Sequence, residues 1–268
     1  MADPLVLPPT VAVGACRYGQ MLYLTNDRYI GRSLHVYGEF SEAECALLRR
    51  LIGPGAWAVE AGANVGAHTL GLARAVGVDG RVVAFEPQPL IHRLLEANVV
   101  LAATANVEVH GAAVGRAPGT LRVPPLDYSV PGNFGGVSLV ADDAGVEVTV
   151  CTVDGLRLAR CDLLKADVEG MERDVLDGAA RTIERHRPVL YLENDRRERS
   201  PALVAALLGL GYRIYWHLPP LFNPANFRGR KRNLFPGIVS ANLLCLPDDR
   251  PPPLADPWPV RAPEEWWR

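Results

Sequence analysis

The stretch Ala58-Val59-Glu60-Ala61-Gly62-Ala63-Asn64-Val65-Gly66-Ala67-His68-Thr69-Leu70 constrains the chain more than any other. The apolar run from Ala56 to Val59 reads as a buried strand. Small residues follow, then helical spacing at Leu70, Ala73 and Val76, so the pattern is strand, tight turn, helix. Gly62 and Gly66 leave room for a ligand to approach the backbone. The helix start adds unpaired N–H groups and the positive end of its dipole, which suit an anionic or carboxylate-bearing ligand.

A second apolar run, Arg81-Val82-Val83-Ala84-Phe85, ends in Glu86-Pro87. An acid at the end of the second strand of a βαβ unit accepts hydrogen bonds from both hydroxyls of a ribose, which points to a nucleoside. The spacing is not that of a nicotinamide dinucleotide site, because Asn64 stands two residues after Gly62 and the next glycine is Gly66. Glu60, two residues before Gly62, would repel a pyrophosphate and could pair with an amino group. These features favour S-adenosylmethionine over NAD.

Glu-Ala-Gly-Ala-Asn-Val-Gly, Phe85-Glu86-Pro87 and the later Leu164-Lys165-Ala166-Asp167-Val168-Glu169-Gly170-Met171-Glu172 together resemble the FkbM family of S-adenosylmethionine-dependent methyltransferases, in the family's order and spacing from about Ser41 to Pro247. The family usually has Asp where this chain has Glu60. The resemblance implies a class I methyltransferase fold: a mostly parallel, Rossmann-like seven-stranded sheet with an antiparallel last strand. It also implies O-methylation, often of a sugar or natural-product hydroxyl.

With 268 residues, 49% of them apolar, the chain can bury one substantial α/β core, and a net charge of -2 gives no general attraction to nucleic acid or anionic lipid. Five widely spaced cysteines without a C-x-x-C pair read as small core residues in a reducing compartment. No stretch reaches membrane-spanning length, and the start lacks a basic segment followed by an apolar one, so cytoplasm is the default expectation.

Residues 1–40 read as an extension: a poorly ordered first ten residues, then a β-hairpin from Val11–Ala15 and Met21–Leu24 lying over a sheet edge or the site mouth. The methyltransferase domain spans 41–250. Ser41-Glu42-Ala43-Glu44 is a capping-box signature opening a helix that Gly53-Pro54 stops. Pro89 to Leu101 is the second helix of the βα alternation, and Val107–His110 a short third strand. Alternation breaks at about 115–153, where Thr120–Val123, Gly136–Val140 and Val146–Val150 read as a β insertion. It resumes at Asp162–Asp167, and Met171, Val175, Ala179 and Ile183 then mark one helix. Val189–Glu193, a helix from Ser200, and an antiparallel pair, Arg213–His217 with Val239–Leu246, complete the domain. The tail, 251–268, is rich in proline and tryptophan; partial disorder or docking on the body is expected of it.

Ligands of an open α/β sheet collect beyond the carboxyl ends of its strands. The expected cofactor contacts are Glu60, Gly62, Asn64, Gly66, Thr69, Glu86, Gln88, His110, Ala112 and Asp167. Methyl transfer from a sulfonium requires an aligned nucleophile and removal of its proton, so Asp167 and Glu193 lead the catalytic candidates, followed by Glu169 and His217. Lys165 should pair with Asp167 or Glu169, and an arginine should neutralise at least one carboxylate. Tyr128, Asn133 and Phe134 sit in an aromatic and amide-bearing loop suited to fold over an acceptor. Asn194 and the long basic loop with Asn226, Arg228 and Arg230 offer further acceptor contacts. Asp167, Glu169, Glu193 and Asn194 are oxygen donors of the kind Mg²⁺ uses, but they come from separate strands and a metal is not the favoured expectation.

The sequence therefore reads as an O-methyltransferase with S-adenosylmethionine as cofactor and a small-molecule or glycan acceptor, without nucleic-acid or membrane partners. N-methylation is the nearest alternative. An NAD-dependent oxidoreductase and a non-catalytic S-adenosylmethionine-binding module are the others. The acceptor and the oligomeric state stay open.

Overall fold

The structure, a computed structural model, describes residues 8–140, 144–248 and 251–268. A hairpin of β1 (Val11–Cys16) and β2 (Gly19–Leu24) opens the chain, followed by α1 (Ile30–Tyr37) and α2 (Glu42–Leu51). The βα alternation comprises β3 (Trp57–Ala61), α3 (Thr69–Val76), β4 (Arg81–Phe85), α4 (Pro89–Leu101) and β5 (Val107–His110). A three-stranded sheet interrupts it with β6 (Ala112–Val114), β7 (Gly119–Val123) and β8 (Val146–Cys151). The chain then continues through β9 (Leu163–Ala166), α5 (Glu172–Asp177), α6 (Ala180–His186), β10 (Val189–Glu193), α7 (Ser200–Gly209), β11 (Arg213–His217), β12 (Asn242–Leu246) and β13 (Trp258–Val260).

The main sheet has the order β13-β11-β12-β10-β9-β3-β4-β5. Strands β10, β9, β3, β4 and β5 run parallel, while β12 is antiparallel to both β10 and β11. This is the expected seven-stranded sheet with one addition: β13 from the tail pairs with β11 and makes an eighth strand. The tail also sets Trp266 edge-on against Trp216, with ring centroids 5.5 Å apart. The expectation of disorder over residues 1–10 falls mostly on residues 1–7, outside the described residues.

Strand alternation divides the core between the two faces of the sheet. Val59, Ala61, Val83 and Phe85 point toward the α5–α7 side, whereas Ala58, Val82 and Tyr191 pack against α2 and α3. A third apolar cluster joins the hairpin to α3 and α4 through Met21, Leu24, Leu70 and Ile91. There Asn98 is fully buried, accepting from Leu22 N and donating to Leu22 O and Val65 O.

Three local expectations are corrected. Gly136–Val140 is not a strand; Val140 makes only an isolated bridge to Arg122. The helix expected from Met171 to Ile183 is two helices, α5 and α6, because the chain passes so close to Gly115 at Gly178 that a Cβ there would lie 2.0 Å from the Gly115 carbonyl oxygen. Ser41 does not form a capping box. It takes a left-handed conformation with φ 42°, and its hydroxyl donates to Glu44 Oε2 rather than accepting from the backbone. Helix α1 carries no signal that was read from the sequence.

Candidate functional site

From β3 the chain passes to β4 on one side, while β9 lies on the other, so the carboxyl end of β3 is the topological switch point of the sheet. Gly62 follows β3 at φ +82°, and a Cβ there would sit 1.8 Å from the Asp167 carbonyl oxygen. Its missing side chain thus lets the tips of β3 and β9 meet. Gly66, at φ +89°, faces Leu95 Cδ1 and serves the packing of α3 on α4. Of the two glycines, only Gly62 lines the site.

Two adjoining spaces open at this point. A cavity of about 300 Å³ is lined by Gly62, Asn64 and the acids Glu44, Glu86, Asp167, Glu169, Glu193 and Asp195. Tyr29, Ile30, Asn133, Gly135 and Gly136 are among its other walls. Beside it, a narrow slot of about 40 Å³ is lined by Phe85, Pro87, Gln88, Ala112, Ala113, Val114, Val137, Leu139 and Met171 among others. Gly62, Glu86, Gly135, Asp167 and Glu169 border both.

Glu86 stands where slot and cavity join. Its Oε2 accepts from Asn64 N and its Oε1 from Gln88 N, each at 2.9 Å, so the backbone fixes the carboxylate while each oxygen keeps a second lone pair. Burial pushes its pKa up to about 7 against those two hydrogen bonds. Gln88 is held in turn: its Nε2 donates to Phe134 O, and its Oε1 accepts from the Tyr128 hydroxyl. Tyr128 and Phe134 therefore support the wall of the site from behind, and of the three expected acceptor contacts in that loop Asn133 reaches the cavity.

Beneath the floor lies a buried charge network. Lys165, 2% exposed, places Nζ 3.5 Å from Glu60 Oε1 and 3.7 Å from Asp167 Oδ2. Burial opposes its charge, but Asp167, Glu60 and Glu44 outweigh that cost and hold its pKa above the ordinary lysine range. The expected pairing with Asp167 is present; its second partner is Glu60. Glu60 accepts from the Thr69 hydroxyl at 2.7 Å, and neither residue borders the cavity. Glu60 and Thr69 are thus corrected from cofactor contacts to floor supports. Glu44, absent from the expected site, does line the cavity, with Oε1 3.6 Å from His68 Nδ1. Burial raises Glu44 to about 7 and lowers His68 to about 4, so the imidazole is neutral near pH 7.

At the tips of β9 and β10, Glu169 pairs with Arg196 Nη2 at 2.6 Å, the arginine neutralisation expected from the sequence. Burial is the largest cause raising Glu169 to about 7, with Asp167 adding to it. Glu193 Oε2 is sealed from solvent without a hydrogen-bond partner. Burial, then Asp167 and Glu169, hold Glu193 well above the usual carboxylate range.

Several expected contacts lie elsewhere. His217 is bonded through Nδ1 to the Tyr191 hydroxyl at 2.7 Å and faces a separate cavity with α2 residues, because strand alternation turns it toward that face. His110 stacks on Phe85 and pairs with Glu108 Oε1 at 2.8 Å, outside the slot; Ala112, two residues on, lines it together with Gly62, Glu86, Gln88 and Asp167. Asn194 donates to Ser200 Oγ at the start of α7. Asn226 braces its own loop by donating to Asn223 O and Arg230 O, and Arg228 donates to His35 O and Ala15 O. Arg230 is exposed and outside the cavity walls.

Residues 60–214, more than half of the chain, match the family model described as the methyltransferase FkbM domain. The chain belongs to the FkbM methyltransferase family. Methyltransferase 1 of Beauveria bassiana (strain ARSEF 2860) is 30% identical over 142 residues, which cover 45% of this chain and 57% of that protein. The crystal structure of methyltransferase FkbM from Methylobacillus flagellatus KT has a TM-score of 0.50 and 20% identity, covering 72% of this chain and 44% of that one. The chain thus spans about half the length of the relatives it matches. FkbM methyltransferases use S-adenosylmethionine, and the switch point carries chemistry suited to that ligand. The slot has mostly apolar walls, Glu86 is fixed at its mouth, and the carboxylate-lined cavity suits cationic groups.

Proposed function

We propose that this chain is an S-adenosylmethionine-dependent methyltransferase acting on a hydroxyl oxygen of a sugar, glycan or natural product. The observation that carries the reading is the junction at Glu86, where an apolar slot opens into an acidic cavity beside the switch point. S-adenosylmethionine supplies an electrophilic methyl group on a sulfonium. The residues do the rest. Ala112, Ala113 and Met171 exclude water from the base, while Glu86 accepts from ribose hydroxyls. Asp167, held by Lys165, answers the methionine ammonium. Glu193, once ionised, takes the proton of the acceptor hydroxyl as the hydroxyl oxygen bonds to the methyl carbon and the carbon–sulfur bond breaks, releasing S-adenosylhomocysteine.

One observation favours a second reading, methylation of an amine. No lysine or arginine is among the residues lining the cavity, and six carboxylates are, which would draw a cationic acceptor.

Calorimetric titration with S-adenosylmethionine, S-adenosylhomocysteine and NAD tests the cofactor. The two sulfur nucleosides should saturate the protein, and Glu86→Ala should weaken both by about tenfold or more, equivalent to about 1.4 kcal/mol. Binding of NAD alone would refute the proposal. Radiolabelled methyl transfer to paired hydroxyl and amine analogues of the same scaffold separates the two acceptor readings.

A further inference from the structure

Cations and acids are unevenly spread along the chain. Asp and Glu outnumber Lys and Arg by 30 to 28 overall, yet neither acid occurs in residues 28–38 or 218–240, which hold Arg28, Arg32, Arg228, Arg230, Lys231 and Arg232. Packing brings these two segments together beside the cavity. The Tyr37 hydroxyl, at the end of α1, donates to Arg232 O and accepts from Leu234 N, and the rings of Tyr29 and Phe235 lie 6.1 Å apart. Arg32 stands three residues after Tyr29 and four before Val36, both of which pack in the cluster that holds Leu234 and Phe235, so it borders the same surface. Tyr29 and Leu221 are themselves cavity walls, which makes this surface part of the rim.

Arg228 is used internally, donating to His35 O and Ala15 O. The other five cations are exposed and form no ion pair among the described residues. The acids that flank the two segments, Asp27 and Glu39, are buried and occupied: Asp27 accepts from Tyr29 N, and Glu39 from Arg17, Asn223 Nδ2 and Phe227 N. Crowding like charges on one surface is unfavourable until an anionic partner covers them. Beside them Phe227 leaves 47% of its surface in water, on a tight turn closed by Gly229 N donating to Asn226 O just before Arg230. A soluble polyanion would cover the cations and leave that ring wet. An anionic bilayer takes both, with the cations at its headgroups and the aromatic ring at the boundary with the acyl chains.

We propose that α1 and the 218–240 segment form a peripheral attachment surface for anionic lipid, with Arg28, Arg32, Arg230, Lys231 and Arg232 on headgroup phosphates and Phe227 entering the interface. Each cation near such a surface strengthens attachment by roughly fivefold, so five together supply on the order of a thousandfold, a local attraction that the chain-wide charge conceals. Attachment turns the rim toward the bilayer and presents the cavity to acceptors anchored in lipid. That delivery rests on the methyltransferase reading; the attachment itself does not.

The test is co-sedimentation of the full chain with vesicles of phosphatidylcholine alone, or of equal parts phosphatidylcholine and phosphatidylglycerol, at low and high NaCl. The mixed vesicles should carry the protein down at low salt, the neutral ones should not, and added salt should release it. Combined Arg230→Glu, Lys231→Glu and Arg232→Glu should weaken attachment by about a hundredfold or more, and Phe227→Ala by about fivefold. Far-ultraviolet circular dichroism and calorimetric binding of S-adenosylhomocysteine should be unchanged in both variants, because none of these residues lines the cavity or the slot. Absence of attachment to mixed vesicles, equal attachment to neutral ones, or attachment that the charge variant retains overturns the surface. Attachment that the charge variant loses and Phe227→Ala keeps in full overturns the role of the ring. Binding of dextran sulfate by a protein that leaves the mixed vesicles alone overturns the lipid assignment in favour of a soluble polyanion. Attachment that depends on the cations in a protein that ignores S-adenosylhomocysteine leaves the surface standing and removes the methyltransferase reading.

Discussion

Removing one member of a buried ion pair leaves the other charged and unsolvated, which costs more than the pair itself contributes. Lys165→Met should therefore destabilise the fold by about 3–5 kcal/mol in urea unfolding, because Glu60 and Asp167 lose their shared cation. Adding Glu60→Gln to that variant should recover part of the loss. The acids at strand tips, Glu86, Asp167 and Glu193, were legible in the sequence because each ends or directly follows a largely apolar run, and Glu169 because it lies in the Leu164–Glu172 motif. Glu60 was misplaced because its sequence position matches a ligand contact, while Thr69 and Lys165 draw its carboxylate under the floor. Glu44 was hidden by a local pattern: with Ser41 it spells a capping box, and only tertiary packing sends its side chain toward the cavity. His217 failed for a simpler reason, since a strand residue's face depends on register and its register partner Asn242 lies across a long loop.

At the scale of elements, the alternation of strands and helices from β3 to β12 could be read directly, since their periodicities are strong and their lengths ordinary. What escaped were elements decided by contacts distant in sequence. Helix α1 is short and lies between the hairpin and the 218–237 loop, to which the Tyr37 hydroxyl is bonded through Arg232 O and Leu234 N. Strand β13 has three residues, one of them proline, and forms only because β11 offers an open edge. Its anchor is aromatic. Trp266→Ala should lower unfolding free energy by about 1–3 kcal/mol in chemical denaturation, through lost packing on Trp216 and Trp267. Binding of S-adenosylhomocysteine should be unchanged, because none of the tail borders the switch-point cavity.

For the molecule as a whole, the raised carboxylates make stability depend on pH in an unusual direction. Glu44, Glu86 and Glu169, each pushed up to about 7, hold protons in the folded chain that the unfolded chain has released above about pH 4.5, so folding loses free energy as pH rises toward and through 7. His68 and His217, both held near 4, contribute the opposite sign between about pH 4 and 6.5 and nothing above it. The net loss is therefore clearest from about pH 6.5 to 8, where the melting temperature of the ligand-free protein should fall by several degrees in calorimetry. S-adenosylmethionine should oppose that fall, since its cationic groups favour the ionised acids.

The two outer walls of the cavity come from segments about a hundred residues apart that are bonded directly to each other. Asn26 Nδ2 donates to Tyr128 O and Val130 O, Arg28 N to Gly132 O, and Gly132 N back to Asn26 O. Tyr29 and Ile30 on one side and Asn133, Gly135 and Gly136 on the other then face the acids together. These segments form a single detachable part with its own seam. Transplanting 26–30 with 128–136 as a pair, with Tyr128 and Phe134 kept in place beside Gln88, would exchange acceptor preference while the methyl-donor side stays braced, whereas moving either segment alone would tear that seam.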